Sequence, residues 1–464
     1  MQINNRNFTH LKPIYHLNTG KNWLNDPNGP IFWNGKYHMF FQYNPEDSIW
    51  GNIHWGHAIS TDMVRWQILN PVLNPGPEIY DSEGVFSGSS ILHEKKLHLF
   101  YTASAPQTQC LAYETPGSNG GDFQKYSKNP IIPSPPQGYD TSDFRDPFIW
   151  KEEDEFRMIV ASGLEGNGLV FLYKSSNLHS WQYVGEFYKD ELPKGVSAFE
   201  CPIFFKIDGR DVLVISPFDT PFYLTGTVIN EKFIPERRGI LDPNPNWYAP
   251  NTFMTYDGRR ILIAWIREEW PVAFQEEAGW SGALSIPREV FTLPSGNLGV
   301  KPISEIDSLR DSCITIKPVV IRKGTELKLP EIPSAGEIQL TVLSQNETNT
   351  FEIALFEDTI NESLFSIYIE NNSIALVNKY KYPESNICPV QKKGEFEDNS
   401  GEYHIRIFLD CSIIEVFVNG HFGISTRVYP PKTVNNLAYI RTQKGEINLI
   451  DCNIYKYKQN VITH

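Results

Sequence analysis

The chain has few cysteines and no long apolar segment. Its 464 residues include six cysteines, at Cys110, Cys201, Cys313, Cys388, Cys411 and Cys452. None of them forms a Cys-x-x-Cys pair, so the sequence predicts no zinc site, and scattered free thiols are typical of a reducing compartment. No stretch is apolar enough to span a bilayer.

Basic runs and a secretory signal are also missing. The formal net charge is −14, without a long basic run, and this argues against nucleic acid or an anionic membrane surface as a partner. Met1–Arg6 lack the apolar segment of a secretory signal, so we expect a cytoplasmic location. His54 and His57 are the closest approach to a metal-ligand pair, but residues three apart on a strand face opposite sides. We therefore expect neither a metal nor another cofactor.

The turn residues are those of antiparallel β-structure. Each of four Asx-Gly pairs separates two apolar runs: Asn34-Gly35, Asp208-Gly209, Asp257-Gly258 and Asn419-Gly420. Such pairs accept the positive φ angles of a type I′ turn, so each predicts a hairpin. No long segment has a 3.6-residue apolar period. The sequence therefore predicts an all-β protein.

A weak internal repeat suggests how the first part is arranged. Ser60–Trp66 and Ser175–Trp181 share a small polar turn followed by Trp, and Gly120–Phe123 ends similarly. The aromatic residues lie about 57 residues apart, a spacing compatible with one four-stranded blade of a β-propeller. We predict a five-bladed propeller over residues 1–300.

The composition changes after a polar connector. We predict a linker over residues 301–318, with a short helix between Lys301 and Ser312, and a β-sandwich over residues 319–464. In the sandwich, Ile405, Ile407 and Leu409 share one face, and Ile414, Val416 and Val418 share the next if Cys411-Ser412 forms a turn. Nothing in the sequence requires a particular oligomeric state.

Three acids occur in similar settings beside aromatic residues. Asp26 lies in Asn25-Asp26-Pro27-Asn28-Gly29, predicted as a tight turn at the mouth of a hairpin; Asp146 and Glu200 lie in Phe144-Arg145-Asp146-Pro147 and Phe199-Glu200-Cys201-Pro202. Alone, each has a structural explanation, as a turn former, a local ion pair with Arg145 or an exposed Glu. Together, at the same point of three successive inner strands of the predicted propeller, they predict a catalytic site.

Cleavage of a glycosidic bond with retention requires an ionised and a protonated carboxyl group about 5–5.5 Å apart. Asp26, with Asn25 and Asn28 as possible hydrogen-bond donors, suits the ionised group. Glu200, beside Phe199 and Cys201, suits the protonated one. Asp146 beside Arg145 would stay ionised and offset the charge of an oxocarbenium-like transition state.

These motifs resemble the signature blocks of glycoside hydrolase family 32, the invertases, inulinases and levanases. The resemblance extends over essentially the whole chain and includes these further segments: Trp23-Leu24, Phe41–Pro45, Trp50-Gly51, His54–Ala58, Gly84–Ser89, Trp247–Ala249, Phe408–Asp410 and Glu415–Val418. It implies a five-bladed propeller followed by a β-sandwich, and release of terminal β-D-fructofuranosyl units.

The resemblance also implies roles for individual residues. Asp26 would be the nucleophile, Glu200 the general acid/base and Asp146 the transition-state stabiliser. A small-molecule sugar, sucrose or a fructo-oligosaccharide, would be the partner. The fructose pocket would be lined by Asn25, Gln42, Trp50, Phe86, Ser87, Arg145 and Trp265.

Three features of the sequence depart from the family pattern or leave the substrate open. Leu24 stands where Met is common; Asn246 and Asn251 stand where Asp and Gln are frequent, and we expect both near the rim that receives the leaving group. Sucrose hydrolysis is favoured, with short fructo-oligosaccharides, inulin or levan as further substrates. The alternatives are fructosyl transfer, non-catalytic sugar binding, and hydrolysis of sucrose 6-phosphate, for which Arg237-Arg238 and Arg267 could contact the phosphate.

Overall fold

The computed structural model describes residues 8–77, 79–104, 106–344, 350–357, 362–380, 390–397, 400–459 and 461–463. Met1–Arg6 and Cys388, both used in the sequence predictions, lie outside the described residues. The fold is nearly all-β, as predicted. Across these ranges the helices are one α-helix, Val272–Ala278, and three 3₁₀ segments, Thr9–Leu11, Ile79–Asp81 and Ser304–Leu309.

The first part of the chain folds into five sheets, counted over the described ranges. Four sheets take four consecutive strands each: β1 (Asn22–Trp33), β2 (Lys36–Asn44), β3 (His54–Ser60) and β4 (Trp66–Leu73); β5 (Val85–His93), β6 (Lys96–Ala103), β7 (Thr108–Glu114) and β8 (Phe123–Lys125); β9 (Phe144–Glu152), β10 (Glu155–Leu164), β11 (Asn167–Ser175) and β12 (Gln182–Glu191); β13 (Glu200–Ile207), β14 (Arg210–Ser216), β15 (Phe222–Ile229) and β16 (Lys232–Gly239).

The fifth sheet is less regular. It contains β17 (Trp247–Met254), β18 (Arg260–Ile266), β20 (Ala283–Leu284), β21 (Arg288–Thr292) and β22 (Leu298–Pro302). The short strand β19 (Trp280–Ser281), next to the α-helix, instead pairs parallel with β1. The region of the fifth sheet is therefore joined to the first sheet through β19. The C-terminal strand β36 (Ile462–Thr463) also joins the first sheet, where it runs parallel to β4.

The first strands of these sheets, β1, β5, β9, β13 and β17, are called the inner strands below. Each packs against the next in chain order, and β17 packs against β1, so the five strands close a ring. Apolar side chains from neighbouring sheets, such as Phe148, Phe204 and Trp247, fill the space between them. Segments distant in sequence are thereby brought to one axis.

The predicted hairpins are present, but one has a different turn. Asn34, Asp208 and Asn419 all have positive φ, as does the glycine that follows each, which a type I′ turn requires. The Asp257-Gly258 hairpin joins β17 to β18 with positive φ at Gly258 alone, and Gly258 N donates to Thr255 O at 3.1 Å. The type I′ prediction was wrong there; the geometry is that of a turn followed by a left-handed glycine.

The internal repeat corresponds to one recurring turn between the third and fourth strands of a sheet. Ser60 Oγ accepts hydrogen bonds from the backbone of Asp62 and Met63, and Asp62 Oδ1 accepts from the two backbone N–H groups that follow Met63. Ser175 and Asn177 make the same bonds between β11 and β12. The shared polar residues therefore satisfy the backbone of equivalent turns.

The second part of the chain forms two further sheets. Its strands are β23 (Arg310–Ile316), β24 (Val319–Arg322), β25 (Glu326–Lys328), β26 (Ala335–Ser344), β27 (Thr350–Glu357), β28 (Ser363–Glu370), β29 (Ser373–Asn378), β30 (Val390–Glu395), β31 (Glu402–Asp410), β32 (Ile413–Val418), β33 (Phe422–Arg427), β34 (Asn435–Thr442) and β35 (Glu446–Tyr457). One sheet has the order β23-β35-β26-β31-β32-β33, with β24 also on β35, and the other has the order β25-β34-β27-β28-β29-β30.

Apolar faces of the two sheets share one core, which makes this part a sandwich. Ile405, Ile407 and Leu409 lie in that core with their predicted partners on β32, and Cys411 has the positive φ of the expected turn. Within the segment 301–318, predicted as a linker, Ser304–Leu309 form the 3₁₀ helix and β23 pairs with β35 of the sandwich.

Buried charged side chains join the two parts. Arg288 on β21 contacts Asp242 at 3.0 Å and Glu415 of the sandwich at 2.5 Å. His16 places Nδ1 2.8 Å from Asp410 and Nε2 3.0 Å from Glu415. All five side chains are fully buried. We call this set the interface ion cluster.

No described helix combines the length and the apolar character needed to span a membrane.

Candidate active site

A β-bulge interrupts every inner strand at the position of a site residue. On β1 the pairing with β2 shifts between Leu24 and Pro27, so Asn25 and Asp26 are both opposite Gln42. Asp26 therefore lies within a strand; the prediction of a tight turn at the mouth of a hairpin was wrong. A bulge adds one residue to a strand and redirects a side chain, and it is common next to active sites.

The same irregularity recurs around the ring. On β5, β13 and β17 the pairing shifts between Phe86 and Gly88, between Glu200 and Ile203, and between Tyr248 and Asn251. On β9 the shift falls opposite Val160 of the neighbouring strand β10. Asp146 and Cys201 have φ of 63° and 44°, in the left-handed region. Proline follows Asp26, Asp146 and Cys201, and it cannot donate to the regular ladder.

The bulges surround a cavity of about 480 Å³ at one end of the ring. The three acids and all but one of the predicted binding residues line it; Ser87 lies just behind and contacts Asp26. The lining consists of Trp23, Asn25, Asp26, Gln42, Trp50, Phe86, Gln107, Arg145, Asp146, Glu200, Phe218, Tyr248, Trp265 and Arg267.

Asp26 is held by two neutral donors. Ser87 Oγ donates to Asp26 Oδ2 at 2.8 Å and Gln42 Nε2 donates at 3.3 Å. Gln42 also accepts from Asn25 Nδ2 at 3.1 Å. Asn28, expected as a donor, is buried against Trp55 and Gln42 instead. Burial raises the pKa of Asp26 to about 6, against the lowering effect of the Ser87 hydrogen bond.

Asp146 is fixed by backbone and by the neighbouring bulge. Its N–H donates to Thr102 Oγ1 at 2.8 Å, and the Cys201 N–H donates to its Oδ2 at 2.9 Å. Burial raises the pKa of Asp146, although the nearby Arg145 charge lowers it. The Cys201 thiol lies 3.6 Å from Asp146 Oδ2 and 3.8 Å from Asp26 Oδ2, so both carboxyl groups border one side chain.

Glu200 is bracketed by two donors. Arg145 Nε donates to Glu200 Oε1 at 3.1 Å, and Tyr248 OH donates to Oε2 at 2.6 Å. Burial raises the pKa of Glu200, the Arg145 cation opposes the rise, and the Asp146 charge adds to it. Arg145 pairs with Asp143 at 2.5 Å and with Glu200 at 3.0 Å. The alternative of a local Arg145–Asp146 ion pair is therefore wrong.

Aromatic rings form two walls of the cavity. Trp50, 56% exposed, lies with its ring centroid 5.8 Å from that of Phe86. A second pair of lining rings, Trp265 and Trp23, meets edge to face at 5.5 Å, and the Trp23 indole N–H donates to Asn25 Oδ1 at 2.6 Å. Aromatic rings in a lining that also contains acids and amides suit the apolar faces of a small sugar.

Several lining residues had no assigned role in the sequence predictions: Trp23, Gln107, Phe218 and Tyr248. Arg267 was named only as a possible phosphate contact; it lies over the Tyr248 ring at 4.1 Å from the centroid. Arg237 and Arg238 do not line the cavity, and Arg238 pairs with Asp190 at 2.9 Å. A signal for Tyr248 was present, because Tyr248-Ala249-Pro250 repeats the residue-X-Pro pattern of Glu200-Cys201-Pro202.

The two asparagines expected at the leaving-group rim occupy different positions. Asn251 is buried, and its amide donates to the Pro27 and Gly88 carbonyls at 3.1 and 3.2 Å. Asn246 donates to Glu269. Asn251 lines a different cavity, so the prediction was wrong for it. The Asn246 side chain does not line the catalytic cavity, but its carbonyl accepts from the N–H of Arg267, which does, at 2.8 Å.

The two histidines considered as metal ligands have separate partners. His54 Nδ1 contacts the Asn52 carbonyl at 2.7 Å, whereas His57 Nε2 lies 3.1 Å from His38 Nδ1. Over the described ranges, no group of three or more His, Cys, Asp or Glu side chains is arranged to hold a metal ion.

Three buried carboxyl groups with raised pKa values face one small cavity. Asp26 accepts hydrogen bonds from two neutral donors, whereas Glu200 accepts from the Arg145 cation and the Tyr248 hydroxyl group. This arrangement of an all-β scaffold and converging acids defines a glycosidase site. Residues 16–302 match the glycosyl hydrolases family 32 N-terminal domain and residues 305–456 match the family's C-terminal domain. The chain belongs to glycoside hydrolase family 32.

Curated relatives and solved structures agree. The chain is 34% identical to raffinose invertase and 32% identical to sucrose-6-phosphate hydrolase, both from Escherichia coli, with 90% of this chain and 89% of each relative aligned. Fructan 1-exohydrolase IIa from Cichorium intybus superposes with a TM-score of 0.89 at 24% identity and 98% coverage of both chains. That structure supports the predicted fold, a propeller-type N-terminal region followed by a β-sandwich.

Proposed function

We propose that this protein is a retaining β-fructofuranosidase that releases terminal fructose from sucrose and from short fructo-oligosaccharides. The observation that carries the proposal is the position of Glu200, a carboxyl group of raised pKa facing the same cavity as Asp26. A proton donor and an attacking carboxylate on one cavity are what glycoside cleavage requires. The invertase and β-fructofuranosidase names of the curated relatives support the fructosyl specificity.

In this mechanism Asp26 attacks the anomeric C2 of the fructosyl unit while Glu200 gives its proton to the departing glycosidic oxygen. The Ser87 and Gln42 donors stabilise Asp26 as the ionised nucleophile. Loss of negative charge on Asp26, as the covalent bond forms, makes Glu200 easier to ionise. Glu200 then removes a proton from water while the water oxygen bonds to C2 and the bond between C2 and Asp26 breaks, which frees the Asp26 carboxylate and releases fructose with the original configuration.

Asp146 and Arg145 hold the sugar and balance charge. Asp146, fixed by the Thr102 and Cys201 contacts, is placed to accept sugar hydroxyl groups and to oppose positive charge at the oxocarbenium-like transition state. Arg145 binds Glu200, so it also sets the orientation of the proton donor. Asn25, Gln42, Trp50, Phe86, Ser87 and Trp265 complete the fructose pocket in this proposal.

We also infer that the five N-terminal sheets are the five blades of a propeller over residues 1–300, with the inner strands around its axis. Packing of each inner strand on the next, and of β17 on β1, supports this arrangement. The recurring turn between third and fourth strands supports it further. The site then occupies one end of the axis, where blades commonly present side chains from distant segments.

The roles of the two acids can be separated with two substrates. Asp26→Asn is expected to lower kcat by at least about a thousandfold on both sucrose and β-D-fructofuranosyl fluoride, because no covalent intermediate forms. Glu200→Gln is expected to lose sucrose hydrolysis but to release fluoride, which leaves without a proton, and azide should restore its turnover. Asp154→Asn, an exposed control, should match the parent.

The sugars formed at low and at high sucrose concentration distinguish hydrolysis from fructosyl transfer and from non-catalytic sugar binding. Equal release of glucose and fructose at both concentrations supports hydrolysis, whereas glucose in excess over fructose supports fructosyl transfer. Absence of any cleavage would favour a non-catalytic sugar-binding protein. Full sucrose hydrolysis by either acid variant would contradict the assigned roles, and activity is expected to survive removal of metals by EDTA.

Hydrolysis of sucrose 6-phosphate is a second candidate, and Arg267 favours it. This arginine lines the cavity, stacks on Tyr248 and has no ion-pair partner within the described ranges. One of the relatives is named sucrose-6-phosphate hydrolase. A guanidinium group pairs strongly with a phosphate.

The ratio of kcat/KM for sucrose 6-phosphate to that for sucrose tests this candidate. If Arg267 binds the phosphate, Arg267→Gln should lower the ratio by roughly 10- to 100-fold. Arg237→Gln, which changes an exposed arginine outside the cavity, should leave it unchanged. A parent enzyme that prefers unphosphorylated sucrose would reject the candidate without affecting the main proposal.

We further propose a cytoplasmic location, supported by the free thiols of Cys110, Cys201, Cys313, Cys411 and Cys452. Cell fractionation of the native host tests it, and recovery of the activity outside the cell membrane would contradict it.

A further inference from the structure

A second cavity, of about 650 Å³, lies at the opposite end of the inner strands. There β1 contributes Pro30, Ile31 and Phe32, and the other four inner strands likewise contribute residues that follow their bulges. Because a strand rises about 3.3 Å per residue, Phe32 lies roughly 20 Å along β1 from Asp26. The two cavities have no lining residue in common.

Polar contacts between the inner strands separate the cavities. Ser89 Oγ donates to the Pro147 carbonyl at 2.7 Å, and Ser90 Oγ donates to the Gly29 carbonyl at 2.8 Å. The Asn251 amide bridges two more carbonyls, those of Pro27 and Gly88. A ligand in the second cavity would therefore be held apart from the sugar site.

Arg260 is the unusual residue of this second cavity. It lines the cavity at the start of β18, and its Nε is buried without a hydrogen-bond partner. Within the described ranges it makes no ion pair; its guanidinium lies 5.2 Å from the centroid of the Phe205 ring. Four other buried or half-buried arginines each hold a carboxylate: Arg145, Arg157, Arg288 and Arg427.

The acids on the same lining do not neutralise Arg260. Glu152 is engaged by Arg157 at 2.7 Å and by Lys206 at 3.0 Å. Glu153 is exposed, as is Lys151. Burial lowers the pKa of Arg260 to about 10, with no carboxylate acting in the other direction. Arg260 is half-buried, and its buried Nε has no hydrogen-bond partner, so an anionic ligand in the cavity could pair with a guanidinium group that no described carboxylate engages.

We propose that the second cavity binds a small organic anion whose carboxylate or phosphate group pairs with the Arg260 guanidinium. The remainder of the lining suits an apolar or ring-shaped body, because it includes the aromatic residues Phe32, Trp150 and Phe205. A planar guanidinium recognises both oxyanions through paired hydrogen bonds. The cavity volume is large enough for a ligand the size of a substituted aromatic acid.

Calorimetric titration with defined probes tests the proposal. Benzoate and phenyl phosphate carry the two oxyanions on the same ring, inorganic phosphate is the anion alone, and phenol is the neutral control. We expect at least one ring anion to bind the parent and to bind Arg260→Gln at least tenfold more weakly. The ring anion that binds the parent more tightly shows whether the site prefers a carboxylate or a phosphate group.

Two matched variants locate the binding. Arg267→Gln removes the arginine of the catalytic cavity and Arg237→Gln removes an exposed one, and both should bind the preferred probe as the parent does. Failure of every anion to bind the parent at millimolar concentration would overturn the proposal. So would unchanged binding in Arg260→Gln, or loss of binding in Arg267→Gln instead.

Thermal unfolding gives an independent readout. The preferred anion should raise the Tm of the parent and leave that of Arg260→Gln unchanged, since only a ligand that binds the folded state stabilises it. Without anion, Arg260→Gln loses no ion pair, so its Tm should lie close to that of the parent, lowered only by loss of the contact with the Phe205 ring. Normal sucrose hydrolysis would show that the variant is folded.

Discussion

Tyr248 shows how single side chains tune this site. Its hydroxyl group donates to Glu200 at 2.6 Å, and the same bond lowers the pKa of Glu200 against the effect of burial. Arg145 acts in the same direction from the other carboxyl oxygen. The pKa of Glu200, the proton donor of the proposed mechanism, therefore depends both on burial, which raises it, and on the two donors, which lower it.

Replacing Tyr248 by Phe should shift the pH dependence of catalysis, because it removes one of the two donors that lower the pKa of Glu200. Without the hydroxyl donor the ionised form of Glu200 is less stable, so the pKa of Glu200 rises and the basic limb of the kcat/KM profile moves to higher pH. We expect kcat to fall by roughly tenfold, because Glu200 also loses its orientation. Tyr188→Phe, which removes a comparable bond to Asp190, should leave the profile unchanged. An unshifted basic limb would contradict this role.

At the scale of an element, the bulges of the inner strands are the decisive feature. Four of them contain an X-Pro bond, at Asp26-Pro27, Asp146-Pro147, Cys201-Pro202 and Ala249-Pro250. The fifth, on β5, has Gly88 in place of proline. A Cβ atom at Gly88 would overlap the carbonyl oxygen of Phe100, so the close approach of two backbones requires glycine there.

Gly88→Ala should therefore disturb both stability and catalysis. The added methyl group forces β5 away from β6, and we expect a loss of about 3 kcal/mol in the free energy of unfolding, measured by denaturant titration. Because Ser87 moves with the bulge, the hydrogen bond to Asp26 weakens and kcat/KM falls too. Gly121→Ala, whose Cβ would lie 3.1 Å from one turn carbonyl, should cost less. Equal stability of Gly88→Ala and the parent would argue against the close contact.

At the scale of the whole molecule, the interface ion cluster holds the N-terminal sheets to the sandwich. Glu415 of the sandwich contacts both His16 and Arg288, and Asp410 accepts hydrogen bonds from the backbone N–H groups of Tyr15 and His16. Burial opposes the charged His16 ring, but the bonds to the two carboxylates outweigh it and raise the pKa of His16. Arg288 and His16 lower the pKa of Glu415 despite burial.

His16→Gln should destabilise the protein in a pH-dependent way. A raised folded-state pKa means that His16 stabilises fully below its unfolded pKa of about 6.5 and that this contribution is lost as pH rises through the folded value. We expect a deficit of about 3 kcal/mol in the free energy of unfolding at mildly acidic pH, shrinking toward alkaline pH. His404→Gln, an exposed control paired with Glu402, should differ little from the parent. A deficit that grows with pH would contradict this charge assignment.

Much of the architecture was readable from local chemistry. Asx-Gly pairs, period-two apolar alternation and the repeated polar turn depend on a few neighbouring residues, so the all-β class, the hairpins and the sandwich faces around Ile405 and Ile414 could be predicted. The three acids could be selected because each is followed, directly or after one residue, by a proline beside aromatic neighbours. The family resemblance then supplied most of the pocket.

Tertiary structure decided what depends on contacts between distant segments. Arg145 pairs with Asp143 and Glu200 rather than with its neighbour Asp146. The Asn251 amide is buried and donates to a backbone carbonyl of another strand, and Arg267 lines the cavity whereas Arg237 does not. The raised pKa values arise from burial and from charges brought together by the ring of inner strands. Sequence fixes which groups are available for such contacts. Only folding, through long-range packing and desolvation, determines which of these groups come into contact and which of them are protonated.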